Sequence, residues 1–202
     1  MFALGDGGLP YRRAVIMVVF NQQGDIFVGK STKIPPDGKT WQMPQGGVNE
    51  YFRKGVWHRE RPVQAAHREL KEEIGATAQF VHVRTLPERY AFDFLDDKTK
   101  YRGQILTPVL LRCLSPDRNF DLSRHEDNRG APAFSDWKWA KAEEVLRGVT
   151  AMQREIYAQV LTNVVPMIAA ATMTQRQRCD AAGGETRPGT PLRLPAAIPL
   201  SY

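Results

Sequence analysis

Short continuous runs of apolar residues, bounded by turn-forming residues, occur along the chain and predict β-strands. The runs that fit this pattern are residues 14–21, 25–30, 80–86, 105–114 and 137–140. The first two are separated by Gln22-Gln23-Gly24, which predicts a strand–turn–strand unit. Because proline cannot donate a hydrogen bond to a neighbouring strand, we expect Pro108 to lie at a sheet edge or at a bulge.

Elsewhere apolar residues recur three and four positions apart, a spacing that predicts amphipathic helices. The segments with this spacing are residues 62–74, 142–146 and 152–168. Strands and helices mix without regular β-α-β alternation, which favours an α/β sandwich built on a mixed sheet. We expect no membrane contact, since we find no segment with the roughly 20 apolar residues of a membrane-spanning helix.

The composition changes near residue 173. The whole chain is 42% hydrophobic and 25% charged, which excludes a wholly disordered or fibrous protein. We therefore expect one domain over residues 1–172. Residues 173–202 contain four prolines and four arginines and predict a disordered, basic tail. The net charge of +6 fits a polyanionic partner but does not require one.

Cysteine content and the first ten residues bear on the cellular compartment. Two cysteines, Cys113 and Cys179, cannot form a disulfide framework and favour a reducing compartment. Residues 1–10 contain neither an apolar signal core nor an Arg- and Ser-rich presequence. We expect a cytoplasmic protein, with organellar residence as the open alternative.

The helix predicted over residues 62–74 carries three carboxylates on one face. Glu69, Glu72 and Glu73 lie at positions i, i+3 and i+4, so their side chains are neighbours on the helix surface. Their mutual repulsion is relieved by a divalent cation, and oxygen ligands favour Mg²⁺ or Mn²⁺ over Zn²⁺. An ordinary solvated acidic face has the same spacing, so the three acids alone leave both interpretations open.

The residues around the three acids help to decide between a metal site and a solvated acidic face. Glu60 is followed, after seven residues, by the segment Arg68-Glu69-Leu70-Lys71-Glu72-Glu73-Ile74-Gly75-Ala76. This pattern resembles the Nudix box, G-x5-E-x7-R-E-U-x-E-E-x-G-U, where U is a bulky apolar residue. Segments outside the box resemble the Nudix subfamily of bacterial RNA 5′-pyrophosphohydrolases and plant-type dinucleoside polyphosphate hydrolases. These segments are Tyr11-Arg12-Arg13, Trp41-Gln42-Met43-Pro44-Gln45-Gly46-Gly47 and Arg154-x-x-Tyr157.

The resemblance implies a fold, an activity and a substrate class. The fold is the Nudix fold, an α/β/α sandwich around a mixed β-sheet. The activity is Mg²⁺-dependent hydrolysis, with Mn²⁺ as an alternative cation, of a phosphoanhydride bond in a nucleoside polyphosphate. The substrate is either a dinucleoside polyphosphate of the diadenosine tetraphosphate type or the 5′-triphosphate end of RNA.

The resemblance also assigns roles to individual residues. It implies that Glu69, Glu72 and Glu73 are catalytic and bind the metal together with a backbone carbonyl at Gly46 or Gly47. It implies that Glu60 pairs with Arg68 and supports the loop that precedes the helix. The residues that it implies in substrate binding are Arg12, Lys30, Gln45 and Tyr157.

The largest departure from the family pattern lies inside the box. Thirteen residues separate Gly46 from Glu60, where the pattern has five, so eight residues are inserted around Tyr51–His58. The inserted sequence, Tyr-Phe-Arg-Lys-Gly-Val-Trp-His, is basic and aromatic. Such residues can stack a base or contact phosphate, but an exposed loop without a binding role fits the sequence equally well.

Two further departures from the family pattern concern residues that we expect at the substrate site. Ala133 stands where the family often has a glutamate, and Glu126 or Asp127 in the preceding loop are candidate replacements. Leu106-Thr107-Pro108 stands where the subfamily has polar, basic and aromatic residues. The alternative function is therefore a non-hydrolytic Nudix module that binds RNA or a nucleotide within an assembly, although the intact acidic set favours the hydrolase.

Overall fold

The computed structural model describes residues 9–33, 38–75, 77–94, 100–123 and 132–183, with side chains as far as Met173. In chain order the elements are β1 (Tyr11–Phe20), β2 (Ile26–Ser31), β3 (Trp41–Gln42), β4 (Gln45–Gly47), β5 (Glu50–Arg53), β6 (Val56–Arg59), α1 (Pro62–Ile74), β7 (Phe80–Thr85), β8 (Tyr90–Asp93), β9 (Gly103–Cys113), a 3-10 turn (Asp117–Asn119), β10 (Phe134–Ala140), α2 (Ala142–Gly148) and α3 (Ala151–Gly183). Helix α1 has the bounds that its apolar spacing predicts.

Within these residues, eight strands form one mixed sheet with the central order β10-β2-β1-β9-β7. Strand β1 pairs in parallel with β9 along its whole length, from Tyr11 opposite Gly103 to Phe20 opposite Arg112. The short strands β3, β4 and β8 add antiparallel pairs to β2, β1 and β9. This confirms the α/β sandwich on a mixed sheet.

Side chains of β1 alternate between two hydrophobic cores, one on each face of the sheet. Ile16 and Val18 belong to the core under α3, whereas Val15 and Met17 belong to the core under α1. A strand that is covered on both faces has apolar residues at successive positions, which explains the continuous run 14–20. The two helices thus flank the sheet, and α1 is held over one face by Leu70 and Ile74.

Pro108 lies in the interior strand β9, so the expectation of a sheet edge was wrong. Its carbonyl accepts a hydrogen bond from the Leu86 N–H at 3.0 Å, just beyond the end of β7. On this side β9 pairs with β8 as far as Leu106 and with β7 from Val109 onward. Proline is tolerated here because the partner strand is interrupted where its missing N–H would be needed.

Helix α3 differs from the sequence-based expectation in length and in character. It continues to Gly183, so the predicted tail at 173–202 begins inside a helix; residues 184–202 lie outside the described part of the chain. The segment Ala151–Met173 is long and apolar enough to cross a membrane by length and composition, contrary to the expectation that no segment would reach this length. One stripe of this helix, including Tyr157, Val160 and Val164, packs in the core.

The inserted residues form a β-hairpin. Strands β5 and β6 pair from Glu50 opposite Arg59 to Arg53 opposite Val56, and they form a two-stranded sheet of their own. The turn residues Lys54 and Gly55 have φ values of 52° and 79°. Positive φ at both central residues is the conformation of tight turns whose twist matches that of the flanking strands.

Candidate active site

Arg68 connects three parts of the box: β4, the glycine strand, which carries Gly46 and Gly47; Glu60, which follows the hairpin; and the acidic helix α1. Its Nε and Nη2 donate to Glu60 Oε1 and Oε2 at 3.1 and 2.9 Å. Nη2 also donates to the Gly47 carbonyl at 2.7 Å. Glu60 Oε2 in turn accepts the backbone N–H of Asn49 at 3.0 Å. The structure therefore brings Glu60 and Arg68 together as the family resemblance implies, in a bidentate ion pair that fixes the entrance to α1.

The same guanidinium reaches the carboxylates of α1. Arg68 Nη1 donates to Glu69 Oε1 at 2.8 Å and lies 3.4 Å from Glu72 Oε1. Burial raises the pKa of the Glu69 carboxyl, an effect that Arg68 opposes and that Glu72 reinforces. Arg68 thus neutralises part of the negative charge of Glu69 and Glu72.

Glu73 lies deeper and has no such compensation. Its Oε2 atom is buried and has no hydrogen-bond partner within the residues that the structure describes. Burial, followed by the charges of Glu69 and Glu72, raises the pKa of the Glu73 carboxyl well above its ordinary value. A buried carboxylate with an unused oxygen is costly unless a cation is close to it.

Gly46 and Gly47 on β4 allow charged side chains to approach the backbone closely. A Cβ atom at Gly46 would overlap the Glu69 side chain, and one at Gly47 would overlap the Arg12 guanidinium. A larger residue at either position would displace a functional group, so the absence of a side chain is what the site requires. Arg12 and Glu69 therefore both pack against the same short strand.

Beside these groups lies a cleft of about 930 Å³, and Glu69 is not among its lining residues. Of the residues predicted to bind substrate or metal, Arg12, Gln45, Gly46, Glu72 and Glu73 line it. Several other lining residues were not predicted from the sequence, namely Lys33, Phe92, Phe94 and Gln153. The Phe92 and Phe94 rings meet edge to face with centroids 5.9 Å apart. The alternation Tyr90, Phe92, Phe94 was the signal that could have predicted this aromatic wall.

Tyr157 and Lys30 are not among the residues that line the cleft. The Tyr157 side chain is fully buried, and its hydroxyl accepts hydrogen bonds from the Met43 N–H at 3.1 Å and from Gln45 Nε2 at 3.0 Å. Burial raises the pKa of this phenol. This corrects the expectation of a direct contact, because the hydroxyl holds Gln45 in place instead. Lys30 is exposed and outside the cleft lining, whereas Lys33 is part of it.

Ala133 lines the cleft and brings no carboxylate to it. Its carbonyl accepts the Thr32 N–H at 3.1 Å, so this segment is tied to the end of β2 through its backbone. Glu126 and Asp127 lie outside the described residues, so their suggested replacement of the family carboxylate stays a prediction.

The residues present fit a divalent cation, although they are not gathered around one point. In the described part of the chain, no three His, Cys, Asp or Glu side chains converge closely enough to hold a metal ion. Arg68 Nη1 instead contacts Glu69 and Glu72. The buried Oε2 of Glu73, which has no hydrogen-bond partner in the described part of the chain, and the Glu69 carboxylate beside Gly46 nevertheless provide hard oxygen donors beside the cleft. Such donors suit Mg²⁺ or Mn²⁺.

Comparison with known proteins gives consistent matches. The NUDIX domain family matches residues 10–161. The RNA pyrophosphohydrolase of Novosphingobium aromaticivorans is 35% identical over 76% of this chain and 92% of its own length. The RNA pyrophosphohydrolase of Cereibacter sphaeroides is 34% identical over 81% of this chain and 96% of its own. The solution structure of the E. coli ORF135 protein has a TM-score of 0.51 at 14% identity, covering 79% of this chain and 94% of that one.

Proposed function

Because the chain belongs to the Nudix family, we propose that it is a divalent-cation-dependent pyrophosphohydrolase that acts on the 5′-triphosphate end of RNA. The observation that carries the proposal is the carboxylate cluster of α1 beside a cleft of about 930 Å³, with a Glu73 oxygen that has no hydrogen-bond partner among the described residues. The similarity to two RNA pyrophosphohydrolases over most of their length supports RNA as the substrate.

In this proposal Glu69, Glu72 and Glu73 hold Mg²⁺ or Mn²⁺ together with the Gly46 carbonyl. The Nudix family generally uses such a divalent metal. When bound, the cation neutralises phosphate oxygens and makes a water molecule more acidic. Glu60 and Arg68 keep α1 in place against β4 while charge changes nearby. A bound cation would offset the cost of a buried negative charge on Glu73, whose pKa is raised by burial and by the charges of Glu69 and Glu72.

The remaining cleft residues bind and orient the substrate. Arg12 brings a positive charge beside Gly47 to the cleft, in position to pair with phosphate oxygens. Gln45 is held by the buried Tyr157 hydroxyl, so its amide is oriented before substrate arrives. Phe92 and Phe94 offer an apolar wall to a nucleobase in the cleft. Positioning and charge neutralisation supply most of the catalysis of phosphoanhydride cleavage.

A turnover panel in Mg²⁺ and in Mn²⁺ tests the proposal. The substrates are a 5′-triphosphorylated RNA oligonucleotide, diadenosine tetraphosphate and a nucleoside triphosphate, with products resolved by chromatography. We expect RNA with a 5′-monophosphate and released phosphate or pyrophosphate, and the highest kcat/KM for RNA. A higher kcat/KM for diadenosine tetraphosphate would instead assign the chain to dinucleoside polyphosphates.

Glu72→Gln supplies the matched variant, because it removes one carboxylate charge beside the cleft without changing side-chain size. We expect its kcat to fall by at least about 100-fold at saturating Mg²⁺. Glu143→Gln is the control, since Glu143 is an exposed carboxylate in the first turn of α2. Unchanged turnover in Glu72→Gln would refute the metal assignment. Retained RNA binding with no turnover of any substrate by the wild type would favour the non-hydrolytic module.

A further inference from the structure

The β5–β6 hairpin exposes large aromatic side chains that the core does not use. Trp57, Phe52 and Tyr51 are 72%, 59% and 53% exposed. The rings pair across the two strands: Phe52 and Trp57 have centroids 5.4 Å apart, and Tyr51 stacks on His58 at 5.2 Å. Exposed rings held in fixed pairs are costly in water and are typical of binding surfaces.

The base of the hairpin is fixed to the candidate active site. The backbone N–H of Glu60 donates to the Asn49 carbonyl at 2.9 Å, and the Asn49 N–H donates back to the Glu60 carboxylate. Glu50 and Arg59 form an ion pair on the first rung of the ladder. Because Glu60 is also bound to Arg68, the orientation of the rings is coupled to the loop that leads into α1.

One face of the hairpin lies beside a cavity that is lined in part by arginines. Cross-strand partners share a face, as do residues two apart, so Phe52 and Trp57 lie on the same face as Glu50 and Arg59. Arg59 also lines a cavity of about 190 Å³ at the foot of this face. Arg13 and Arg89 also line that cavity, and Arg89 Nη1 at the same time donates to the carbonyls of Leu86, Pro87 and Glu88.

The charge of this region is positive despite its carboxylates. Glu50 lies between Arg59 and Arg13, whose Nε is 3.7 Å from Glu50 Oε1, and Glu60 is paired with Arg68. Arg53 and Lys54 add two positive charges at the tip of the hairpin. A surface that combines exposed rings with an excess of cations is complementary to a single-stranded polyanion that carries bases.

We propose that the Phe52–Trp57 face and the arginine-lined cavity bind the single-stranded RNA body that follows the 5′ end. A base stacks on the exposed Trp57 ring, and backbone phosphates lie against Arg13, Arg59 and Arg89. The proposal deepens the proposed function, on which it rests, by naming what distinguishes an RNA substrate from a mononucleotide. The cleft holds the 5′ end, and the hairpin holds the nucleotides beyond it.

The first test measures RNA binding without hydrolysis. The probe is a fluorescent single-stranded RNA oligonucleotide with a 5′-hydroxyl, which has no triphosphate for the cleft, and the readout is anisotropy on the full chain. We expect Trp57→Ala to raise Kd by about 10-fold or more and Trp57→Phe to restore most of the affinity. Val81→Ala removes another exposed apolar side chain, this one from β7, and should leave Kd unchanged. Equal Kd values for wild type and Trp57→Ala would overturn the proposal.

The second test compares substrates and separates the two proposals. We expect Trp57→Ala to lower the ratio of kcat/KM for triphosphorylated RNA to that for a nucleoside triphosphate by about 10-fold, mainly through KM. If the wild type binds 5′-hydroxyl RNA through Trp57 but hydrolyses no triphosphorylated RNA, the proposed function fails and the hairpin assignment stands. If RNA is hydrolysed and neither Kd nor the ratio changes, the hairpin assignment fails alone.

Self-association is the outcome that would replace RNA with a second copy of the chain. Sedimentation equilibrium of the wild type and Trp57→Ala measures it directly. We expect the same mass for both proteins across concentration. A dimer that Trp57→Ala abolishes, without a change in RNA affinity, would show that the rings bind protein.

Discussion

Among single residues, the glutamates of α1 place negative charge in a position where the protein itself only partly neutralises it. Arg68 compensates Glu60 and Glu69 through hydrogen bonds of 2.8, 2.9 and 3.1 Å. Glu73, one turn further along α1, receives no comparable donor in the described residues. A fully paired Glu73 would be more stable but would offer no oxygen to a cation. Function and stability therefore oppose each other at this residue.

Glu73→Gln should make this opposition measurable. In chelator at pH 8 we expect the free energy of unfolding to rise by about 1–3 kcal/mol, because a neutral amide replaces a buried charge. The pKa of Glu73 in the folded protein is raised, so the wild type carries no penalty below its ordinary pKa of 4.5. The penalty grows as pH rises toward the folded-state pKa.

Urea unfolding from about pH 4 to pH 8 checks the sign of this effect. The stability advantage of Glu73→Gln over the wild type should widen with increasing pH, while its turnover should fall to the background. Glu143→Gln provides the control, because it changes an exposed carboxylate on α2 and should show no such pH dependence. An advantage that shrinks as pH rises would contradict the burial of an uncompensated charge.

Among the secondary-structure elements, α1 and the β5–β6 hairpin are adjacent in the chain and contribute very differently to stability. Helix α1 buries Ala65, Ala66, Leu70 and Ile74 in the core on one face of the sheet. The hairpin forms a separate sheet and leaves its largest side chains exposed. The two elements are joined at Glu60, where the ladder ends and the ion pair with Arg68 begins. The hairpin is therefore an addition that the fold tolerates.

Replacing Tyr51–His58 by an Asn-Gly turn tests this independence. Glu50 and Arg59 are directly opposite each other, so a two-residue turn can connect them while their ion pair is kept. We expect the melting temperature to change by less than about 3 °C, because little apolar surface is lost from the core. Leu70→Ala is the contrasting variant: its fully buried side chain predicts a loss of about 2–5 kcal/mol.

Thermal unfolding with urea titrations on the wild type and both variants decides the comparison. A loss of stability in the shortened chain as large as that in Leu70→Ala would mean that the hairpin is a structural part of the fold.

In the molecule as a whole, α1, the glycine strand and β1 meet at one side of the sheet. Arg12 comes from β1, Gly46 and Gly47 from β4, and the carboxylates from α1. The opposite face is covered by α3, whose buried Tyr157 hydroxyl reaches Gln45 at the cleft. Both faces of the sandwich thus contribute to one site. Binding there should stabilise the complete fold and not only a local segment.

A thermal-shift titration with Mg²⁺ and Mn²⁺ measures this coupling. A ligand that binds only the folded state at about 100 times its Kd adds about 2.7 kcal/mol of stability. For a domain of this size, the corresponding rise in melting temperature is about 5–10 °C. We expect the rise in the wild type and in Glu143→Gln, and its loss in Glu72→Gln. An equal rise in all three proteins would place the cation elsewhere.

Features that depend on local spacing could be predicted from the order of the residues alone. Helix α1 and its acidic face lie in one short segment, where helical geometry leaves little freedom. The buried strands were also predictable, because an interior strand must be apolar on both faces. The family resemblance added two expectations: that Glu60 pairs with Arg68, and that a glycine carbonyl binds the metal together with these acids.

Which distant residues reach the cleft became clear only from the folded chain. Tyr157 is on the helix that closes the opposite core, so packing and not its residue type turns its hydroxyl toward Gln45. Lys33 lines the cleft and Lys30 does not, because the course of the chain beyond β2 brings Lys33 to the edge of the cleft. Pro108 is acceptable inside the sheet because two partner strands leave a gap beside it. Each depends on contacts between residues far apart in sequence, which periodicity does not encode.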